Sequence, residues 1–324
     1  MSGTDMSGTG TSGTGTSGRG TSGTGTSGTD MSGTGISGTG TSTGVVERAG
    51  NGAGPATAPG AVSTADLLRS EMLKLTTTRL WWILLLAVVA CSAGFTALIV
   101  FGGLNAPRSP LSFGTAGDAV PAYNLAVALA YVFPLAIGVI TVTQEYHART
   151  ISATLLAEPR RARVYGAKLL VGLATAFVYG ASAVLSGALV AAALLSGHGK
   201  PTYLTDGTVL GALGGSVLVL TLWGAIGVGV GALVRNQVAA IVGILLVTQF
   251  LEPTLRILAS SLGNAELGNL LPGGAGDLAG GGTIMTAAAE ADGGSQGLGF
   301  LVLFLYAVAI GVVGAVRFTR YEVA

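Results

Sequence analysis

The stretch WWILLLAVVACSAGFTALIVF, residues 81–101, contains 21 residues and no charged side chain. Because an α-helix rises ~1.5 Å per residue, about 20 apolar residues are enough to cross the hydrocarbon core of a bilayer. Five further runs of this kind follow, at residues 122–143, 169–195, 208–234, 238–258 and 298–316. Glu252 and Arg256 are the only charged residues within the six runs. The sequence therefore predicts six transmembrane helices.

The overall composition agrees with a membrane protein. Half of the 324 residues are hydrophobic and 10% are charged, against about 25% charged in a typical soluble domain. The formal net charge of +1 gives no reason to expect a nucleic-acid partner. One cysteine and two histidines are too few for a disulfide framework or a zinc cluster, so we expect no metal site and no bound cofactor. The expected fold class is an all-α integral membrane protein.

The N-terminal segment, residues 1–62, has low complexity. Residues 1–40 are eight pentapeptides of the form (M/T/I)-S-G-(T/R)-(G/D), and a Gly/Ala/Pro-rich linker follows them. Such a composition has no apolar face that could offset the entropy cost of ordering. We therefore predict a disordered cytoplasmic tail at 1–62 and a six-helix transmembrane domain at 63–324. A tethering role is one interpretation of the tail; we favour an expanded low-complexity tract or a start codon assigned too far upstream.

The distribution of Lys and Arg predicts the orientation of the helices, because these residues accumulate on the cytoplasmic side of membrane proteins. If both termini are cytoplasmic, eleven basic residues near the spans lie inside and three lie outside. The eleven are Arg69, Lys74, Arg79, Arg149, Arg160, Arg161, Arg163, Lys168, Arg235, Arg317 and Arg320, and the three are Arg108, Lys200 and Arg256. We therefore expect both termini in the cytoplasm.

An amphipathic helix is predicted just before the first span. Leu68, Met72 and Leu75 recur at i, i+4 and i+7, which is the spacing of one apolar helix face. Ser63 followed by Asp66 is typical of a helix N-cap. We interpret the segment as an interfacial helix lying on the inner membrane surface. A simple cytoplasmic extension of the first span is the alternative.

The loop between the second and third spans, residues 144–168, is long and basic. Glu145 and Arg149 form an i, i+4 pair in the favourable order for a helix. Arginines at positions 160, 161 and 163 act in part as the signal that keeps this loop inside.

The same loop contains a short apolar helix, ISATLLA. We expect its side chains Ile151, Leu155 and Leu156 on one face, and Pro159 to end the helix. An apolar face beyond the inner leaflet needs a partner, either lipid headgroups or another protein. The basic residues Arg160 and Arg161 that follow help to keep the loop inside, but they do not account for the apolar face of the helix.

Four segments together resemble a known family, the membrane (permease) subunit of bacterial ATP-binding-cassette exporters of the type-2 permease kind, as found in actinobacteria. They are RSEMLKLTTTRLWW before the first span, TQEYHARTISATLLAEPRRARV after the second, GALVRNQVAAIVGILLVTQFLEP around the fourth and fifth, and LLPGG before the last. The resemblance covers roughly residues 64–324, and the repeat tail is not part of it.

The resemblance implies that residues 151–157 form a coupling helix that docks on a separate ATPase subunit and that Glu145 helps to position it. It implies that residues 66–78 form the connecting helix of this exporter class. Two permease chains, in a homodimer or heterodimer, would form the path across the plasma membrane of a bacterial cell. The chain contains no G-x-x-x-x-G-K-[ST] phosphate loop, so ATP and Mg²⁺ would be bound by the partner subunit.

Glu252 lies about 14 residues into the fifth predicted span, ~21 Å from its cytoplasmic start. An ionisable side chain at that depth is a functional candidate. However, Arg256 follows four residues later, and Pro253 opens the helix there. We favour a structural pair near the outer interface, with a residue that lines the transport path as the alternative.

Two other classes of function remain to be weighed. An intramembrane enzyme needs a catalytic constellation within the spans, but the six apolar runs contain no H-E-x-x-H or G-x-S-x-G motif, and His147 and His198 are expected on opposite sides of the membrane. A non-transporting anchor or sensor could recruit a cytoplasmic protein through residues 144–168. Of the alternatives, this is the one that the sequence distinguishes least well from a transport subunit. We expect a transport subunit without a catalytic site of its own, and the sequence names no substrate.

One pair of glycines has the small-xxx-small spacing that permits close helix packing, Gly227 and Gly231 in the fourth span. It is consistent with a subunit interface or with an interface inside the chain. In a sequence with 54 glycines, such spacings also arise by chance.

Overall fold

The computed structural model describes residues 63–106, 111, 113–125, 127–148, 150–282 and 295–320. The predicted tail at 1–62, Arg149, and residues 283–294 of the last loop lie outside the described residues. Within the described part of the chain, all regular secondary structure is helical. The domain boundary expected near residue 62 stays a prediction.

Within the described residues, six helical segments are long and apolar enough to cross a membrane. We number them spans 1 to 6: Leu80–Asn105, Ala116–His147, Arg161–Gly197, Gly207–Leu233, Gln237–Ser261 and Gln296–Thr319. Each contains one of the six predicted apolar runs, apart from a residue or so at the ends. The prediction of an all-α fold with six spans is confirmed, and the chain is a multi-pass membrane protein.

The helices run in the order α1 (Thr64–Thr76), α2 (Leu80–Asn105), α3 (Ala116–Asn124), α4 (Val127–Ala130), α5 (Val132–His147), α6 (Ile151–Ala157), α7 (Arg161–Gly197), α8 (Gly207–Leu233), α9 (Gln237–Leu246), α10 (Glu252–Ser261), α11 (Pro272–Ala279) and α12 (Gln296–Thr319). A π-helix, Val247–Leu251, joins α9 to α10, and a 3-10 helix, Ala265–Leu270, precedes α11. Span 2 is thus divided into three helices, whereas spans 1, 3, 4 and 6 are single helices.

Successive spans run in opposite directions, so the bundle has two ends. The first end, which we call the basic face, carries α1, α6 and the end of α12; a hydrogen bond from Arg161 Nη1 to the Thr319 carbonyl (3.4 Å) joins two of its segments. The second end, which we call the acidic face, carries residues 198–206 and 262–271. There the Tyr203 hydroxyl donates to the Gly114 carbonyl at 3.0 Å.

Helix α8 lies at the centre of the bundle and packs against α5, α7 and α12. Its contact with α5 is close because glycines face the α5 backbone. A Cβ atom at Gly231 would lie 2.8 Å from the Val139 carbonyl oxygen, and one at Gly227 would lie 3.0 Å from the Leu135 carbonyl carbon. The pair predicted for close packing therefore serves an interface inside the chain.

The π-helix in span 5 lies immediately before Pro253. Proline has no N–H to continue the regular hydrogen-bond pattern, and a π-turn is a common local adjustment in a helix that continues past such a point. The N–H of Glu252 reaches the carbonyl of Val247, five residues back. Span 5 therefore continues beyond Pro253 instead of ending there, and Glu252, between the π-helix and the proline, is buried.

Candidate functional site

Helix α1 begins at the predicted cap, where the Ser63 side-chain oxygen accepts the N–H of Asp66 at 3.1 Å. One side of α1 packs against the start of α7. The residues buried on this side are Leu67, Glu71 and Leu75. Of the predicted apolar stripe, Leu75 is buried, Leu68 is half-buried and Met72 is exposed. The predicted apolar stripe therefore does not coincide with the packed side of α1, because that side is centred on the charged residue Glu71.

Four charged side chains from three helices meet beneath α1, and we call them the ionic cluster: Glu71 and Lys74 from α1, Glu145 from α5 and Lys168 from α7. Lys168 Nζ lies 2.7 Å from Glu71 Oε2 and 3.0 Å from Glu145 Oε1. Lys74 Nζ lies 2.5 Å from Glu71 Oε1 and 2.5 Å from Glu145 Oε1. Two carboxylates and two ammonium groups cancel in charge, so this buried site is neutral as a whole.

Burial makes the ionic cluster sensitive to the loss of any member. Glu71, Glu145 and Lys168 are all buried, and removing one partner from a buried ion pair costs about 3–5 kcal/mol, because a charge is left uncompensated. Burial lowers the pKa of Lys74, but the hydrogen bonds and charges of Glu145 and Glu71 raise it by more. The pKa of Lys74 therefore lies above its ordinary value, and the cluster holds this lysine in its charged form.

Helix α6 is attached to the ionic cluster. The Thr154 hydroxyl donates to Glu145 Oε1 at 3.2 Å, across the turn that separates α5 from α6. Ile151 is buried and Leu155 packs beside it against α5, α7 and α8 residues of the same apolar cluster. The apolar side of α6 thus faces its own bundle, and the helix is held on two sides.

The expected single face of Ile151, Leu155 and Leu156 is wrong. Leu156 is 85% exposed, whereas Ile151 is 7% exposed. Adjacent helix positions differ by about 100°, so Leu156 projects away from the side that Leu155 shares with Ile151. The exposed surface of α6 is formed by Ser152, Ala153, Leu156 and Ala157, and it continues into Pro159 and Arg160.

The segment after α6 is fixed by a third buried carboxylate, that of Glu158. Glu158 Oε2 lies 2.5 Å from Arg163 Nη1, and its Oε1 accepts the N–H of Arg160 at 3.1 Å. Arg163 Nη2 also donates to Thr64 at the start of α1 (3.3 Å). Of the predicted arginines, Arg160 is exposed and Arg161 is half-buried. Pro159 follows the last turn of α6, as expected.

The predicted pair of Glu145 with Arg149 falls partly outside the described residues, because Arg149 is not among them. Within the described part of the chain, the charged partners of Glu145 are Lys74 and Lys168. Sequence analysis named neither lysine as a partner. The available signal was the position of Lys168, which directly precedes an apolar run and so needs a counter-charge if it is buried.

A second polar site lies toward the acidic face. Arg256 Nη2 lies 2.7 Å from Glu252 Oε1, so the predicted pair is present. Glu252 also accepts the N–H groups of Gly273 (3.0 Å) and Gly274 (2.7 Å) in the first turn of α11. A helix N-terminus stabilises a carboxylate in this position. Glu252 thereby fixes α11 to span 5, which is a structural role.

Arg256 also contacts Asp277, which the sequence analysis did not single out. Arg256 Nη1 lies 2.9 Å from Asp277 Oδ2. Burial raises the pKa of Asp277, and Arg256 lowers it by less, so the pKa stays above its ordinary value. The site contains two carboxylates and one guanidinium group.

A cavity of about 400 Å³ opens beside this second site. Its polar and aromatic lining includes Tyr131, Trp223, Thr248, Gln249, Glu252 and Asp277. The rings of Tyr131 and Trp223 lie 4.7 Å apart, and the Tyr131 hydroxyl is 2.8 Å from that of Thr248. Glu252 therefore both fixes α11 and lines a cavity, so the path-lining interpretation stays a prediction beside the structural one.

A family model described as ABC-2 family transporter protein matches residues 67–252, more than half of the chain. The matched region includes most of α1, the whole ionic cluster and α6, and it ends at Glu252. No curated protein matches the chain.

Proposed function

The chain belongs to the ABC-2 family of transporter proteins, and on this basis we propose that it is the permease subunit of an ATP-driven exporter in a bacterial plasma membrane. A transport role agrees with the six apolar spans. Export as the direction of transport rests on the resemblance of the four sequence segments to exporter permeases. A separate ATPase subunit supplies the energy and binds ATP and Mg²⁺.

The observation that carries the proposal is the exposed side of α6. Leu156 is 85% exposed at the tip of a short helix between spans 2 and 3, and Arg160 beside it is exposed as well. An exposed leucine flanked by a basic residue suits a groove on a protein partner that combines an apolar pocket with an acidic rim. We assign this surface, formed by residues 152–160, to the ATPase subunit.

The ionic cluster explains how a docked subunit would act on the spans. Thr154 connects α6 to Glu145, and Glu145 contacts lysines from α1 and α7. Movement of α6 is thereby passed to three other helices through one buried group of charges. A loosely tethered loop would not transmit such a displacement.

The proposal includes an orientation and an assembly. The basic face, with α1 and α6, is assigned to the cytoplasm, because ten of the eleven basic residues expected inside are described there and basic residues accumulate on that side. Two permease chains, identical or related, would form the path between them, and each would bind one ATPase subunit.

The experiment is co-purification with the candidate ATPase in nanodiscs, followed by measurement of ATP hydrolysis. We expect Leu156→Asp to reduce both the amount of bound ATPase and the stimulated hydrolysis, because a carboxylate replaces the apolar contact. Ser196→Asp is the matched control, since it adds the same charge at an exposed position at the opposite end of the bundle.

Two outcomes would contradict the proposal in different ways. If Leu156→Asp binds and stimulates the ATPase like the wild type, the docking surface is wrong. If no ATPase binds the wild-type chain, the ATP-driven mechanism fails, and an anchor or sensor that recruits another cytoplasmic protein takes its place.

A further inference from the structure

The cavity near the acidic face lies where three irregular segments meet. Tyr131 occupies the junction between α4 and α5, the π-helix supplies Thr248 and Gln249, and α11 enters from the last loop. Glu252 lies 15 residues from the start of span 5, or ~22 Å along the helix. Interrupted helices at such depth are typical of the places where transporters bind their substrates.

The charges that line the cavity do not cancel. Among the described residues that line it, the carboxylates of Glu252 and Asp277 face one guanidinium group, that of Arg256. Glu252 is well compensated, because it accepts two backbone N–H groups in addition to the two bonds from Arg256. Asp277 accepts a single described hydrogen bond, through Oδ2. Asp277 is therefore the less compensated of the two carboxyl groups, in agreement with its raised pKa, and a cation bound beside it would favour its charged form.

The remaining lining is aromatic and apolar. Trp223 and Tyr131 present neighbouring rings to the cavity, with Val219 and Ile257 among the aliphatic residues beside them. Aromatic rings attract cations through their electron-rich faces, and this attraction is strongest in sites shielded from water. A volume of about 400 Å³ lies in the range of sites for small organic molecules.

These features exclude several classes of ligand. An anion would add to the excess of negative charge, and a neutral apolar molecule would leave that excess uncompensated. A divalent metal ion needs about six oxygen ligands at close range, which a largely apolar cavity of this size does not offer.

We propose that the cavity binds a hydrophobic organic cation, whose charged centre pairs with the Asp277 carboxylate and whose apolar body lies against Trp223 and Tyr131. As a statement about the transported substrate, this inference rests on the proposed function. As a statement about binding, it concerns the permease chain alone and does not need the ATPase.

The test uses two probes of nearly the same shape and opposite charge, tetraphenylphosphonium and tetraphenylborate. Binding of each is measured by equilibrium dialysis with the full chain in nanodiscs, without ATPase, and binding to empty nanodiscs is subtracted. We expect saturable binding of the cation and none of the anion. We expect Asp277→Asn to weaken cation binding by about tenfold or more, because it removes the excess charge and leaves the pair of Glu252 with Arg256 in place.

Two variants make the test specific. Asp206→Asn is the matched control: it makes the same change at a half-buried residue of the acidic face that does not line the cavity, and asparagine preserves the cap of α8. Asp277→Glu restores the charge and should restore binding. Equal binding of both probes, wild-type affinity in Asp277→Asn, or no saturable binding above that of empty nanodiscs would each overturn the proposal. Because no ATPase is present, failure of the docking surface on α6 cannot produce any of these results.

Discussion

Lys168 and Glu71 are both fully buried, and their charged atoms lie 2.7 Å apart although 97 residues separate them in the chain. The contact joins the surface helix α1 to span 3. It is completed by Glu145 at the end of span 2, so three elements are fixed to one another by charge as well as by packing.

Replacing Lys168 by methionine should destabilise the chain strongly. The substitution leaves Glu71 and Glu145 with only Lys74 between them, and the expected loss is about 3–5 kcal/mol. Thermal unfolding in detergent measures the change, with Lys200→Met as a control because Lys200 is exposed. Equal unfolding temperatures for the two variants would show that the ionic cluster contributes nothing.

The stability of the cluster should depend on alkaline pH through Lys74. Its pKa in the folded protein is raised above that of an unfolded lysine, which is about 10.4. The stabilising contribution is therefore fully present below that pH and is lost as the pH rises through the higher pKa of the folded protein. Unfolding temperatures followed from pH 9 upward should fall more steeply in the wild type than in Lys74→Met. Parallel curves would contradict this assignment.

Two glycines of α8 should respond in opposite ways to the same substitution. At Gly227 an added methyl group meets the backbone of α5, with the Leu135 carbonyl carbon 3.0 Å away, so Gly227→Ala should cost about 1–3 kcal/mol. At Gly211 nothing lies within 4 Å, and alanine should be neutral or stabilising by up to about 1 kcal/mol. The unfolding temperatures of the two variants test this contrast. Equal unfolding temperatures would mean that α5 and α8 are loosely packed at this contact.

Glu252→Gln distinguishes the structural role of this residue from a role in the transport path. A glutamine amide offers one oxygen where Gly273, Gly274 and Arg256 all donate to Glu252, and an unsatisfied buried donor costs about 1–3 kcal/mol. We expect lower stability and expression, with Glu266→Gln, at an exposed position, as the control. A variant of normal stability whose cation preference changes would instead favour the path-lining role.

Thr154→Val tests transmission through the ionic cluster separately from docking. The substitution preserves the shape of the side chain and removes the hydrogen bond to Glu145. In the proposed exporter, ATPase should still co-purify, and stimulated hydrolysis should fall. Thr76→Val, at an exposed position of α1, is the matched control. Unchanged hydrolysis in Thr154→Val would mean that motion passes by another route.

Local chemistry was sufficient to predict much of the fold. The spans follow from uninterrupted apolar runs, the start of α1 from the Ser63 cap, and the end of α6 from Pro159. Each of these signals acts within a few residues, so the sequence contains it in full.

The site was harder to predict because its partners are distant in sequence. Glu71 was not singled out, since helix spacing does not reveal that Lys168 arrives from another span. Asp277 was not singled out, because its importance depends on α11 entering the bundle. Leu155 and Leu156 were grouped on one face, although a single helix step separates their directions by about 100°.

The order of the charged partners along the chain has a consequence for biogenesis. Proteins are synthesised from the N-terminus, so Glu71 and Glu145 have both left the ribosome before Lys168. When Lys168 enters the membrane, the two carboxylates that pair with it have therefore already been synthesised. The order is reversed for Glu252, which is synthesised before Gly273, Gly274 and Asp277. Until Gly273 and Gly274 have been synthesised, Arg256 is the one described partner of Glu252 that is already present. We therefore expect span 5 to enter the membrane with Glu252 and Arg256 paired, and α11 to complete the second site afterwards.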